Sequence, residues 1–372
     1  MASFGGFGAS KPLGQQSTGM QKPQERDITF PNPPSDSMSC LALNGGPQSP
    51  TQIVCVGSWD NSVRCYQLAY NGNQLNNITA QGEIKHEAPV LCTEFSSDNT
   101  TNFSAGCDGQ VRMWNVTQGA QSQVIGKHDQ PVRCMKWLSE LNCLATGSWD
   151  KTIRLWDCRQ PNPALTLQLG EKVYTMDGAG KILVCTTADN QIHAWADLST
   201  QQKFTYKSPL KYQARSLSLF ADREGFAVGC IEGRVAIEYF SEISQKANNP
   251  NPPRGASTRS FVFKCHRDTS TNDIYSVNAI HFHNQNTFLT AGGDGCMAWW
   301  DKDARSRVAT RDLYKGKSPI VAAKFSPMGD SLFYILSYDW SKGADFYPQS
   351  QTNALMYHQV NPADIQPKPK KR

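Results

Sequence analysis

One short pattern recurs along the chain and limits its fold more than any other feature. Gly147-Ser148-Trp149-Asp150-Lys151-Thr152-Ile153-Arg154-Leu155-Trp156 repeats the plan of Gly57-Ser58-Trp59-Asp60-Asn61-Ser62-Val63-Arg64-Cys65-Tyr66. Gly106-Cys107-Asp108 with Trp114, Ala188-Asp189 with Trp195, and Gly293-Asp294 with Trp300 follow it. In each copy an acid sits in a turn, an alternating strand follows, and an aromatic stands six residues after the acid. The turn acids fall at 60, 108, 150, 189, 232 (a Glu), 294 and 339, at intervals of 48, 42, 39, 43, 62 and 45 residues. The long interval contains Asn248-Asn249-Pro250-Asn251-Pro252-Pro253, which reads as an inserted loop at about 245–260. Units of about 40–45 residues, each carrying four short strands, stack side by side into a ring. The pattern therefore predicts an all-β chain with a seven-bladed propeller over residues 27–360 and a tail on each side, 1–26 and 361–372.

A second spacing supports the register. His86 and His128 each precede a turn acid, Asp108 and Asp150, by 22 residues, and Pro89 and Pro131 follow three residues after them. With His, turn Asp and strand aromatic in register, the chain resembles the WD-repeat family, and the fold class is a seven-bladed WD40 β-propeller. In that family the matching His, Ser/Thr, Asp and Trp form a hydrogen-bond network inside each blade. His128, Ser148 and Asp150 supply the residue types of a hydrolase triad, but one active site needs one copy and this set recurs. No G-x-S-x-G, phosphate-binding loop, zinc or kinase motif is present, so no catalytic residue is expected and the chain reads as no enzyme. Blades 4, 5 and 7 depart from the pattern. No aligned His precedes Val173-Tyr174-Thr175-Met176; Glu238 replaces the aromatic of blade 5, with Tyr239 one later; and no aromatic follows Asp339 at six residues. Closure of the ring is assigned to Ile28 and Phe30, as the outer strand of the last blade beside Ala354-Leu355-Met356-Tyr357.

Composition removes several classes. No apolar run approaches the roughly 18 residues of a membrane span, and the first residues lack a signal-peptide pattern. The twelve cysteines lie singly with no C-x-x-C pair, which fits reduced, buried thiols and neither a metal nor a cofactor site. The net charge of +5 sits in the tails: Lys11, Lys22 and Arg26 against Glu25, then Lys368, Lys370, Lys371 and Arg372 against Asp364. A neutral body is no general binder of nucleic acid, so any such contact must be local. The N-terminal tail is too polar to fold alone and carries Phe4-Gly5 and Phe7-Gly8, which resemble the repeats of nuclear-pore proteins. Lys368-Pro369-Lys370-Lys371-Arg372 resembles a nuclear-import signal.

Within the WD-repeat proteins, Gly57–Asp60, Thr146–Thr152, Phe263-Lys264-Cys265-His266-Arg267, Trp300-Asp301-Lys302-Asp303-Ala304-Arg305 and Ser337–Gly343 resemble the nuclear-pore messenger-RNA export factors of the Rae/Gle type. That resemblance implies a non-enzymatic adaptor that binds a GLEBS-type segment of an FG-repeat nucleoporin, contacts exporting ribonucleoprotein, and takes part in mitotic spindle assembly. It places the protein in the nucleus, at the envelope and its pores, and also in the cytoplasm. A spindle-checkpoint WD-repeat adaptor that binds GLEBS-like segments is the alternative. Residues 254–267 carry four cations and no acid, and residues 302–317 carry six against Asp303 and Asp312. Cations among aromatics suit an acidic peptide or single-stranded RNA. The predicted contact set is Phe263, Arg267, Trp300, Asp301, Lys302, Arg305 and Arg307 on one blade, with Arg234 nearby.

Overall fold

The computed structural model describes residues 27–45, 52–72, 74–248, 258–312, 314–347 and 353–367. The Phe-Gly tail, residues 249–257 of the expected insertion and the basic end from Lys368 lie outside the described residues.

Seven four-stranded antiparallel sheets form the ring. Blade 1 runs through Met38–Leu43, Gln52–Ser58, Ser62–Asn71 and Gln74–Lys85, from the axis outward. The last blade takes three strands from the C-terminal side, Ile320–Phe325, Ser331–Leu336 and Ala354–Gln359. Its outermost strand is Ile28–Thr29, with Ile28 opposite Tyr357 and Thr29 opposite Met356. Closure by the N-terminal segment is thus as the alternation predicts. Phe30 follows, its N–H donating to Leu355 O at 2.9 Å, and its ring is buried against Tyr66, Phe333 and Tyr357 between blades 7 and 1. Between Tyr239 and Phe261 the chain does not simply loop: helix α1 (Phe240–Asn248) opens the insertion.

Two local devices repeat in all seven blades. The residue after each turn acid is left-handed: Asn61, Gly109, Lys151, Asn190, Gly233, Gly295 and Trp340. The turn demands positive φ, which explains the Gly and Asn at five of the copies; Lys151, at φ 69°, and the bulkier Trp340, at φ 58°, are the costly exceptions. In addition, every innermost strand carries a register shift near its start, around residues 39, 91, 133, 174, 215, 278 and 321. A bulge turns one extra side chain away from the ladder.

The hydrogen-bond networks are structural. His128 Nδ1 lies 2.8 Å from Asp150 Oδ2, its Nε2 lies 2.8 Å from Thr146 Oγ1, and Trp156 Nε1–H donates to the same Thr146 oxygen at 2.8 Å. The hydroxyl of this set is Thr146; the expected Ser148 instead donates to Gln130 O and Pro131 O, bracing the loop. The network also reaches beyond one sheet. His128 follows the outer strand of blade 2 (Ser122–Lys127), so it ties blade 2 to blade 3. His86 does the same with Asp108 and Ser104, and His266 with Asp294 and Thr290. Two of the three departures from the pattern, in blades 5 and 7, have substitutes. Glu238 of blade 5 is buried and accepts from Tyr206 Oη at 3.1 Å and Lys246 Nζ at 2.5 Å, the latter delivered by α1. Blade 7 is tied by Asp27, which accepts from Tyr334 Oη and meets His358 Nδ1, both at 2.7 Å.

Candidate partner-binding surfaces

The cationic stretches meet between two blades, not on one. Phe263 lies on the outer strand of blade 5 (Phe261–Lys264), and Trp300 on the third strand of blade 6 (Met297–Asp301). Their ring centroids are 4.6 Å apart. A cleft of about 350 Å³ opens beside them, lined by Lys264, Arg267, Tyr275, Trp300, Arg307 and Lys315. Arg307 stands directly opposite Trp300 in the ladder and is exposed. Trp300 is the strand aromatic of the blade network, Nε1–H donating to Thr290 Oγ1 at 2.9 Å. Only part of its ring faces the cleft.

The remaining predicted residues split toward opposite ends of these strands. Arg234 pairs with Lys264 across blade 5, while Ile237 pairs with Phe261 at the far end. Arg234 and Arg267 therefore lie toward the turn-acid face, and both engage Glu232: Arg234 Nε at 3.2 Å from its carboxylate, Arg267 Nη2 at 2.8 Å from its carbonyl. The turn after Asp301 is at the other face. Lys302 is only 3% exposed; its ammonium lies 3.0 Å from Asp303 and 3.3 Å from Asp222, over the rings of Phe220 and Tyr239. Asp301 is buried too, accepting from Asp303 N and Ala304 N at 2.9 Å. Sequence reasoning counted both as surface groups; the tight turn folds them inward, where a lysine's long stem packs on aromatics. Arg305 stays exposed, over Phe261 at 4.7 Å, its guanidinium donating to Thr258 O and Arg259 O.

A second surface escaped the sequence reading. On the turn-acid face, the residues just before the acids form a rim around the axis: Trp59, Cys107, Trp149, Ala188, Ile231, Gly293 and Tyr338. Bulky rings on blades 7, 1 and 3 face small residues on blades 4 and 6. Trp59 and Trp340 are 41% and 39% exposed with centroids 6.2 Å apart, and Trp340 stacks on Tyr347 at 5.2 Å. They enclose a vestibule of about 220 Å³ with Trp149, Tyr338, Arg133 and Arg215. Large half-exposed aromatics held by one another, one of them in a strained conformation, are typical of a contact surface. The signal was present in Trp59-Asp60 and Trp149-Asp150, but the tryptophans there read only as part of the repeat.

Comparison with known proteins agrees with this architecture. The family described as WD domain, G-beta repeat matches residues 80–115, 119–157 and 257–301. The chain is 41% identical over 361 residues to "Protein RAE1" of Arabidopsis thaliana, covering 96% of this chain and 97% of that one. It is 39% identical over 352 residues to "mRNA export factor GLE2" of Chaetomium thermophilum, covering 93% of each. It is 37% identical over 354 residues to "Poly(A)+ RNA export protein" of Schizosaccharomyces pombe, covering 93% and 94%. Among solved structures, "Structure of U3-55K" superposes with a TM-score of 0.68 at 15% identity over 90% of this chain and 98% of that one, a likeness of fold alone.

Proposed function

Since the chain belongs to the WD-repeat messenger-RNA export factors, we propose that it serves export as a non-enzymatic adaptor, holding a GLEBS-type segment of an FG-repeat nucleoporin at the nuclear pore. The observation that carries the choice of surface is the aromatic rim of Trp59, Trp340 and Tyr347 around the axis. Exposed stacked rings give apolar anchors at low entropic cost. The buried His–Asp–hydroxyl sets support the non-enzymatic reading, since the same arrangement recurs and braces neighbouring blades at His86, His128 and His266, even though the last of these borders the cleft between blades 5 and 6.

The cleft between blades 5 and 6 is assigned to the second partner, single-stranded RNA or an acidic segment of the exporting particle. Phe263 and Trp300 offer ring surface there, and Arg267 and Arg307 offer guanidinium groups. Nuclear, pore-associated and cytoplasmic placement, and a role in spindle assembly, go with the same adaptor reading. Calorimetric titration with a GLEBS-type peptide tests it. Trp59→Ala with Trp340→Ala should remove most of the affinity, whereas Arg267→Glu with Arg307→Glu should leave the peptide alone and weaken RNA binding. Peptide binding that survives the first pair and fails with the second would move the nucleoporin segment to the cleft.

A further inference from the structure

The cleft between blades 5 and 6 carries an exposed loop on its lip. Arg267 and Ile274 pair as an isolated antiparallel bridge, and the chain between them arches outward, tied at its base by Asp268 N–H donating to Asp273 O at 3.0 Å. Every residue from Thr269 to Ile274 is exposed. At the foot of the arch, Asp268 lines the cleft and joins two groups through one carboxylate. Its Oδ1 accepts from Ser270 Oγ at 2.5 Å and from Ser270 N at 2.9 Å. Its Oδ2 lies 3.0 Å from Lys315 Nζ, which lines the cleft from blade 6. A hydroxyl on the lip and a cation of the cleft therefore share one acceptor. Thr271 Oγ1 donates instead to Asp273 Oδ2 at 2.8 Å. The charge of the cleft is finely balanced: Lys264, Arg267, Arg307 and Lys315 stand against Asp268, Asp294 and Asp312, a margin of one positive charge with His counted as neutral.

We propose that Ser270 is a phosphorylation site for an acid-directed serine/threonine kinase, and that its phosphate switches off polyanion binding in the cleft. This adds regulation to the cleft and rests on the RNA reading given above for what is displaced. Exposed loops can be reached by another protein without disturbing the strands that carry them. Asp268 stands two residues before Ser270 and Asp273 three after it, a charge pattern that suits a kinase with a basic substrate groove. In the transfer, Ser270 Oγ attacks the γ-phosphorus of ATP. The bond from that phosphorus to the β,γ-bridging oxygen breaks, ADP leaves, and the hydroxyl proton passes to the kinase's base. The phosphoserine carries about −1.5 to −2 charges, enough to reverse the margin of the cleft. Beside Asp268 it meets a like charge, and Lys315 is the cation already at hand to relieve the repulsion. One covalent event thus places an anion at the lip and engages Lys315, which RNA phosphate would otherwise use.

The test uses the full chain and the variants Ser270→Ala and Lys315→Ala. Casein kinase 2 with ATP should place phosphate on Ser270, located by mass spectrometry. Phosphorus NMR gives a readout independent of RNA. The second ionisation of the phosphate should lie about half a pH unit or more below that in Lys315→Ala, since a nearby ammonium favours the dianion. Anisotropy with a labelled single-stranded oligouridine gives the functional readout. Phosphorylated protein should bind on the order of 10-fold or more weakly at low salt, with the difference shrinking as salt rises. Ser270→Ala should bind as the wild type does and should not respond to the kinase. Absence of phosphate at Ser270 overturns the site. Phosphate at Ser270 that titrates alike with and without Lys315, or that leaves RNA affinity unchanged, overturns the switch. If the unmodified protein binds no RNA while the phosphate titration depends on Lys315, the modification site stands and the assignment of RNA to the cleft falls.

Discussion

Phe30→Ala is the sharpest test of how this ring closes. The outer strand of blade 7 is only two residues long, so its backbone bonds are few, and the burden falls on the side chain that follows. Phe30 is 2% exposed and meets Tyr66 edge-on at 5.3 Å and Phe333 at 6.2 Å. Removing a buried phenyl ring costs about 3–5 kcal/mol once the cavity is included. Each lost edge-on contact contributes about 0.5–1.5 kcal/mol of that total. Ile28 supplies the control: it is on the same strand but 39% exposed, so Ile28→Ala should cost less than about 0.5 kcal/mol. Urea unfolding followed by far-ultraviolet circular dichroism and by tryptophan fluorescence gives the midpoints, and an unchanged slope assigns the shift to stability. Burial of one ring predicts a large loss for Phe30 and almost none for Ile28. Equal small losses, with Phe30→Ala within about 1 kcal/mol of wild type, would refute the argument that this ring seals the propeller.

Thr146→Val removes the oxygen shared by His128 and Trp156, so it and His128→Ala should each cost about 1–3 kcal/mol and be non-additive in a double-mutant cycle, with additivity counting against a single network. Burial opposes ionisation of Asp150 and Asp108, but the bonds each accepts together outweigh it, from His128, Thr152 and Asp129 N to Asp150 and from His86, Gln110 N and Glu87 N to Asp108, and hold both carboxyls below the usual carboxylate range. The folded state therefore binds fewer protons, its extra stability is present above about pH 4, and it is lost as pH falls; Asp150→Asn should flatten that acid decline in thermal melts. Lys302→Ala removes a buried stem packed on Phe220 and Tyr239 and should lower stability by about 2 kcal/mol or more, whereas exposed Arg305→Glu should leave the melting temperature nearly unchanged, a contrast that calorimetry of the two variants checks. Trp340→Asn relieves a left-handed tryptophan and loses its stacking on Tyr347, so stability should change by less than about 1 kcal/mol while peptide affinity falls, and a large loss of stability with binding intact would overturn the strain argument.

The blade count, the closing strand and the turn acids were legible because each is written locally. An acid followed by a left-handed residue makes the turn, alternation makes the strand, and their recurrence at Asp60, Asp108, Asp150, Asp189, Glu232, Asp294 and Asp339 fixes the period. Phe30 could be placed because a short alternating segment before the first blade has one vacant edge to fill. Side-chain destinations were not written locally. Lys302 and Arg305 are three residues apart with the same charge, yet one turn carries the first onto Phe220 and Tyr239 and leaves the second in solvent. Phe263 and Trp300 seemed to share a blade, because the sequence repeat is offset from the sheet by one strand; only the folded ring shows that they meet across two. The arginines of the vestibule are the clearest case. Arg133 and Arg215 are 82 residues apart in ordinary strand context, and nothing local marks either as axial. A register shift in each innermost strand turns them toward the axis, and ring closure brings blades 3 and 5 around the same channel. Periodic sequence encodes the unit, because turns and strands respond to near neighbours; convergence at the axis depends on how seven units close, which is a property of the whole ring.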